Sequence, residues 1–243
     1  MAKKSEKKIL KNKNDFISGN FKCSLTYLKK SKGYIWFSFI LFLIIAFFGY
    51  FFPIFFKEEV MEIIKNLINQ TSGLNGVELI LFIINNNMTS SFYGLILGII
   101  FGIIPLGVIV MNGYLLGFVA NKSVASGGIL ILWKLFPHGI FEIPAVMISI
   151  GLGIKLGISL IKNTMLFYNP KIKKPALYSL MIASIALTLV SFPIILIITL
   201  WNKPLRTKLF LNLVESIRVF LLIVIPLLII AGIIEGSLIW LFR

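Results

Sequence analysis

One short segment of the chain combines the residue types that exchange protons or bind cations. His138 is the only histidine and lies four residues before Glu142, so both side chains would share one face of a helix that starts near Gly139. Pro137 and Gly139 flank the histidine and predict a break in the helix there, and Pro144 predicts a further interruption. The segment therefore predicts a polar site beside a helix end.

A second acid and an amide lie in other apolar segments. Glu235 stands near the end of the last apolar stretch, and Asn112 follows Pro105 in an earlier one. A carboxyl group inside a membrane segment is unfavourable by roughly 2.5–3.5 kcal/mol on insertion scales, so it normally faces a partner or a wet cavity. We expect Asn112, His138, Glu142 and Glu235 to meet in one polar cluster. Glu142 would alternatively satisfy the free N–H groups at the start of its own helix.

The chain carries little else that could do chemistry. Cys23 is the only cysteine and Asp15 the only aspartate, which excludes an intramolecular disulfide and an intramembrane aspartyl dyad. There is no Gly-x-Ser-x-Gly elbow, no His-Glu-x-x-His motif and no phosphate-binding loop. A zinc site built on His138 and Glu142 would still need Glu235 and water. We predict no metal, no cofactor and no enzymatic activity.

Composition predicts the elements that must position these residues. Of the 243 residues 58% are apolar and 14% charged, and the mean hydropathy is +0.97, whereas soluble domains are roughly 45–50% apolar and about 25% charged. The apolar residues form long runs, which predicts an all-α, polytopic transmembrane bundle. About five membrane segments are expected, one of them broken or re-entrant at residues 137–139. Their predicted ranges are 34–52, 92–118 with a bend at Pro105, 140–161, 176–201 with a kink at Pro193, and 209–242.

Charge predicts the orientation of the N-terminus. Residues 1–33 hold ten lysines against Glu6 and Asp15, and such clusters before a first span stay on the cytoplasmic side. We therefore expect a multi-pass protein of the cell membrane with a basic cytoplasmic tail (1–33) and a transmembrane domain (34–243). The tail has no arginine and no nucleic-acid-reading motif, so we expect it to bind anionic lipid headgroups, at about 1 kcal/mol per lysine, and no nucleic acid. An amphipathic segment (57–90) is expected on the outer surface, and charge does not decide the side of the C-terminus.

Glycines recur at intervals of four within the apolar segments. Such spacing lets helix backbones approach closely, either within one chain or between two copies of a homodimer. The glycines expected to pack helices are Gly94, Gly98, Gly102, Gly113, Gly117, Gly153 and Gly157.

The segment from Pro137 to Ala145, followed by Gly151, Gly153 and Gly157, resembles the signature of the stage II sporulation protein M family of integral membrane proteins. The resemblance covers roughly residues 80–240. It extends to Asn86, Asn87, Gly98, Gly102, Asn112, Gly113, Gly117 and the run from Ile230 to Glu235. It implies a scaffold that holds peptidoglycan-degrading partners at the septal membrane during engulfment. The long basic tail and the polar outer segment depart from the sporulation proteins.

Two functional hypotheses remain. In the first, the chain is a scaffold or assembly module in which glycines pack the helices and residues 1–33 and 57–90 recruit protein partners. In the second, the polar cluster forms a pathway for a small ion, a proton or a lipid-like substrate. The first is preferred, because one histidine and two buried acids are few for a conduit and the chain has no visible inverted repeat.

Overall fold

A computed structural model describes residues 2–130, 132 and 136–241, with side chains in these ranges except those of residues 2–17 and 136–138. The described residues are almost entirely helical and include no strand. The helices are α1 (Ala2–Phe51), α2 (Lys57–Thr71), α3 (Gly76–Ile96), α4 (Ile103–Gly127), α5 (Phe136–Tyr168), α6 (Lys174–Ala186), α7 (Thr188–Trp201), α8 (Lys203–Val219) and α9 (Ile225–Leu241). A 3-10 turn (Leu97–Ile99) extends α3, and a π-helical turn (Phe220–Val224) joins α8 to α9.

Five helical segments of the described chain are long and apolar enough to cross a membrane, which confirms the all-α bundle. They are Ser18–Phe51, Gly76–Ile99, Ile103–Gly127, Gly139–Tyr168 and Lys203–Leu241. The segment Gly139–Tyr168 is the central one, because 61% of its most apolar window is buried, against 17–33% in the other four. Leu152 and Leu156 of this helix are fully buried in the largest core cluster.

The predicted span 92–118 is two helices, and this part of the prediction is wrong. The chain turns between α3 and α4, where Phe101 has φ 52° and Gly102 has φ 77°. Glycine adopts this left-handed conformation readily, and burial of the Phe101 ring, 2% exposed, offsets the strain at Phe101. Gly102 therefore lies in a turn and not in a helical stripe. Pro105 lies in the first turn of α4, where a missing N–H leaves no helical bond unmade, so it bends no helix.

The predicted outer segment 57–90 also divides. Only α2 is a separate amphipathic helix, whereas residues 76–90 belong to α3, which continues through the three asparagines of residues 85–87 as a candidate span. The capping box that Asn75 and Glu78 form at the start of α3 satisfies the first N–H groups of this helix. The apolar run 78–84 is short because the asparagines lower the hydropathy after it. The helix itself continues through them.

The predicted span 176–201 is a bent pair. Helices α6 and α7 meet at Leu187 with a bend of 114°, and Pro193 lies inside α7. Each helix is about 20 Å long at 1.5 Å per residue, shorter than a bilayer core of about 30 Å. The break is stabilised locally, because the Ser191 hydroxyl donates to the Ser184 carbonyl at 2.6 Å and the Thr188 hydroxyl donates to the Ile185 carbonyl. Hydrogen bonds from these hydroxyl groups to the open carbonyls, and not Pro193, therefore stabilise the bend.

The three residues predicted to break the helix near His138 lie within α5. Pro137 and Gly139 belong to its first turn, where proline needs no hydrogen-bond partner. The predicted interruption at Pro144 is wrong, because α5 continues through it to Tyr168. Its neighbours Ala145 and Met147 are buried, and packing on adjacent helices compensates for one missing backbone bond.

The helices give the bundle a basic and an acidic end. At the basic end the middle of α1 meets α5 and α8, since Lys155 contacts Ser31 and the Tyr27 hydroxyl donates to the Asn212 carbonyl. This end holds Lys22, Lys29, Lys30, Lys32, Lys162, Lys171, Lys173, Lys174, Lys203, Arg206, Lys208 and Arg218. At the other end lie α2, the start of α3 and the end of α9, where Gly76 packs on Trp240. Glu58, Glu59, Glu62 and Glu78 lie at this acidic end, together with Lys57, Lys65 and Lys122.

Candidate functional site

A cavity of about 410 Å³ lies in the acidic half of the bundle. Glu142 of α5, Glu235 of α9 and Asn112 of α4 all line it, so three of the four residues predicted to cluster border the same cavity. The side chain of the fourth, His138, lies outside the described residues, and its backbone belongs to the first turn of α5, one turn before Glu142. The helices thus bring together residues that are far apart in sequence.

Close packing of α3 and α9 positions Glu235. A Cβ built at Gly236 would lie 2.5 Å from Ile80 Cγ1, and one built at Gly232 would lie 2.5 Å from Ile84 Cγ1. Glycine at these two positions leaves room for this close approach, and Glu235 lies between them along α9. Glu235 is 9% exposed, the only acid among the buried residues of the described chain.

Asn112 contributes an amide that is anchored on its own helix. Its Nδ2 donates to the Val108 carbonyl at 2.9 Å, one turn earlier in α4. The Asn112 side chain is exposed, so the cavity wall continues to the outside of the bundle at this point. This bond uses one of the two N–H donors of the amide and leaves the other donor and the carbonyl oxygen for further contacts.

Four polar residues of the cavity were not predicted as members of the cluster: Thr71 of α2 and Asn86, Asn87 and Ser90 of α3. Asn86 and Ser90 are four residues apart and so share a helix face. In the sequence, this spacing of four residues indicates a shared face if residues 86–90 belong to a helix. The sequence obscures this signal because a run of three asparagines is also typical of the boundary before a span.

The predicted packing glycines join helices within the chain. Cβ atoms built at Gly98, Gly153 or Gly157 would come within 3.0 Å of backbone atoms across the α3 and α5 contact, and one at Gly117 would meet the backbone of Ala46 in α1. Gly94 and Gly113 lie in the same two contacts, with slightly more room. These stripes fix the positions of α3, α4 and α5, which carry most of the cavity wall.

A second polar network, at the basic end, was missed entirely. Lys155 Nζ of α5 donates to Ser31 Oγ of α1 at 2.8 Å and lies 3.5 Å from the centroid of the Tyr27 ring. The Tyr27 hydroxyl lies 3.2 Å from Ser216 Oγ of α8. Lys155 interrupts an apolar run at mid-helix, and a lone lysine there was the available signal. The network ties α1, α5 and α8 together.

The cavity is lined by both acidic and apolar side chains. Its described lining includes two carboxyl residues and no lysine or arginine. Within the ranges that the structure describes, no three His, Cys, Asp or Glu side chains converge to hold a metal ion. The other wall residues are aliphatic or aromatic, among them Phe42, Phe82 and Met147.

Comparisons with known proteins identify the family. A profile of the family described as stage II sporulation protein M matches residues 38–238, most of the chain. An uncharacterized protein of Methanocaldococcus jannaschii is 33% identical over 125 residues, which are 51% of this chain and 53% of that protein, so the match spans about half of each. No solved structure matches the chain. With its apolar spans and its glutamate-lined cavity, the chain belongs to the stage II sporulation protein M family of membrane proteins.

Proposed function

We propose that this protein is a non-enzymatic scaffold of the cell membrane, with its N-terminus and its basic end in the cytoplasm. The concentration of lysine and arginine at one end of the bundle supports this orientation, because positive loops stay on the cytoplasmic side. The basic residues of α1 would also attract anionic lipid headgroups there. The acidic end, with α2, would then face outward.

The packing of α2 on the bundle is the observation that supports the scaffold role. Val60 is 5% exposed and packs with Tyr114 and Phe118 of α4, whereas Glu58, Glu59 and Glu62 are exposed. A short helix fixed by one apolar face and exposing three acids and two lysines, Lys57 and Lys65, is suited to bind a charged protein partner. The bundle beneath would hold that partner at the membrane surface.

Co-purification of the full-length chain from its native membrane tests the role. We expect proteins that accompany the wild type to be lost when Glu58, Glu59 and Glu62 are all changed to lysine. The matched control changes Lys171, Lys173 and Lys174 to glutamate, which alters as many charges at the opposite end. The same accompanying proteins in all three samples would contradict the proposal.

We infer that the glycine stripes serve packing within one chain rather than self-association. The stripes on α3, α4 and α5 pack within one chain, so a homodimer would have to use another surface. Light scattering of the purified chain in detergent measures its mass directly.

The cavity favours a second candidate, a pathway for protons or small cations. Two acids in one cavity and an exposed asparagine at its edge support this candidate. Proton uptake by proteoliposomes, lost in Glu142→Gln, would support this candidate over the scaffold.

A further inference from the structure

The bent pair α6 and α7 has the depth of one leaflet of a bilayer. A bend of 114° away from a straight helix leaves an angle of about 66° between the two helices, so helices of about 20 Å reach a depth of about 17 Å along the line that bisects them. Half of a bilayer core is about 15 Å thick. The pair is therefore too shallow to cross the membrane and deep enough to fill one leaflet.

The tip of the pair, formed by residues 187–190, is apolar and exposed. Leu189 is 95% exposed, and Leu187 and Val190 are 63% and 65% exposed. No charged residue lies between Lys174 and Lys203. Apolar surface of this extent is unfavourable in water, so the tip needs acyl chains or another protein around it.

The open end of the pair carries residues that prefer the level of the lipid headgroups. Tyr178, near the start of α6, and Trp201, the last residue of α7, are both exposed, and such aromatic side chains gather at membrane interfaces. Exposed basic residues lie beside both ends of the pair: Lys171, Lys173, Lys174, Lys203, Arg206 and Lys208. Their charge complements anionic headgroups. The order from open end to tip is basic, aromatic and then aliphatic, as in a leaflet from its surface to its centre, which favours lipid over protein as the surroundings of the pair.

The bundle holds the two helices of the pair in place. Met181 of α6 and Ile195 of α7 pack with Leu160 of α5 in one core cluster. The Thr199 hydroxyl, near the end of α7, lies 3.0 Å from the Thr164 hydroxyl of α5, and both groups are buried. Helix α5 thus supports both helices and fixes the angle between them.

The pair makes the two halves of the bundle unequal in width. Five candidate spans cross both leaflets, and the pair adds two helices at the basic end alone. At the other end α2 lies across the bundle and not beside it, because Leu67 and Thr71 line the cavity that α3, α4, α5 and α9 border. The described residues include no second bent pair at the acidic end. The protein is therefore wider in the leaflet on its basic side.

We propose that α6 and α7 insert among the acyl chains of the leaflet on the basic side and act as a wedge, so that the protein prefers membranes whose basic-side face is convex. A molecule that is wider in one leaflet fits a membrane in which that leaflet is expanded. With the basic end in the cytoplasm, the preferred membrane bulges into the cytoplasm. The preference needs no partner at α2 and no transport, so it can fail while the scaffold role stands, and the reverse.

Reconstitution of the full-length chain into vesicles of two sizes tests the preference. Small sonicated and large extruded vesicles are made from one mixture of phosphatidylethanolamine and phosphatidylglycerol. An impermeant maleimide that reacts with Cys23, exposed at the basic end, counts the copies whose basic end faces outward. We expect the ratio of outward to inward copies to be at least about twofold higher in the small vesicles, because their outer leaflet is strongly convex. An equal ratio in the two sizes would overturn the proposal.

A matched pair of variants separates the wedge from other causes of orientation, such as the basic tail. The tip variant changes three exposed residues to glutamine: Leu187, Leu189 and Val190. Acyl chains cannot hydrate the three amides, so the tip leaves the leaflet and the difference between vesicle sizes should disappear. The control variant changes three residues of similar exposure at the acidic end to glutamine: Ile54, Ile68 and Val77.

The control variant should retain the difference between vesicle sizes, and both variants should melt close to the wild type because the changed side chains are exposed. A difference that persists in the tip variant would overturn the proposal, as would its loss in both variants.

A spin label at position 189 identifies what surrounds the tip. In a Leu189→Cys variant with Cys23→Ser, we expect the label to be more accessible to oxygen, which dissolves in acyl chains, than to a water-soluble nickel chelate. Greater accessibility to the chelate would place the tip in water. An immobilised label that is shielded from both reagents would show that a second copy or another protein covers the tip. Either of these two results would overturn the proposal.

Discussion

The ammonium group of Lys155 lies 3.5 Å from the centre of the Tyr27 ring and 2.8 Å from the Ser31 hydroxyl oxygen. A lysine in the middle of the central membrane helix is thereby held by two groups from α1. The ring supplies a negative face and the hydroxyl an acceptor, so the charge is compensated without a carboxylate in direct contact. This contact aligns the first membrane helix with the central one.

The coupling between these two residues is measurable in a double-mutant cycle. Tyr27→Leu should destabilise the wild type by about 2–4 kcal/mol, because it leaves a partly buried charge poorly compensated. In a Lys155→Met background the same change should be milder, with a coupling of about 1–2 kcal/mol. Unfolding in detergent, followed by circular dichroism, gives the four stabilities. Equal effects of Tyr27→Leu in the two backgrounds would mean that the contact contributes nothing.

Glycine substitutions test the packing of the central helix. Gly153→Ala should lower stability by about 1–3 kcal/mol, because its Cβ would overlap the backbone of α3. Gly107→Ala is the matched control, since a Cβ at Gly107 meets nothing within 4 Å and alanine favours the helix by up to about 1 kcal/mol. Thermal unfolding of the two variants in one detergent is the measurement. A larger loss at Gly107 than at Gly153 would contradict the packing.

The bent pair α6 and α7 should enter and leave on the same side of the membrane. In a Cys23→Ser background, single cysteines at Lys173 and Lys203 should both resist an impermeant maleimide in intact cells, whereas one at Glu62 should react. All three positions are exposed on the protein, so burial would not hide them. Reaction of one of the two inner positions but not the other would show that the pair crosses the bilayer.

The position of α2 on the bundle depends on Tyr114. Its hydroxyl donates to the carbonyls of Phe52, at 2.8 Å, and Phe55 in the link between α1 and α2. Tyr114→Phe should reduce stability by about 1 kcal/mol and should speed proteolysis of that link. Tyr178→Phe, at a residue that is 59% exposed, provides the control. Identical proteolysis of the two variants would exclude the tether.

The acids of the cavity stand out in the sequence because the penalty for burying charge is large. An acid in an apolar run must face a partner or a cavity, and Glu142 and Glu235 both line the same cavity. The asparagines and Ser90 of α3 escaped prediction because neutral polar residues are tolerated at helix ends and boundaries as readily as in a cavity. The Lys155 network could not be predicted because nothing in the sequence around Tyr27 and Ser31 marks them as partners of a buried lysine.

By itself the sequence determined that the chain is an all-helical membrane protein of about five spans with a basic N-terminal part, because hydropathy and charge are sums over local residues. The tertiary structure decided which of the apolar runs form helices long enough to cross the membrane. The turn at Phe101 is maintained by burial of its ring, and the bend at Leu187 by hydroxyl groups that satisfy open carbonyls. The shared cavity of Glu142 and Glu235 likewise depends on glycine contacts between distant helices, which no local pattern encodes.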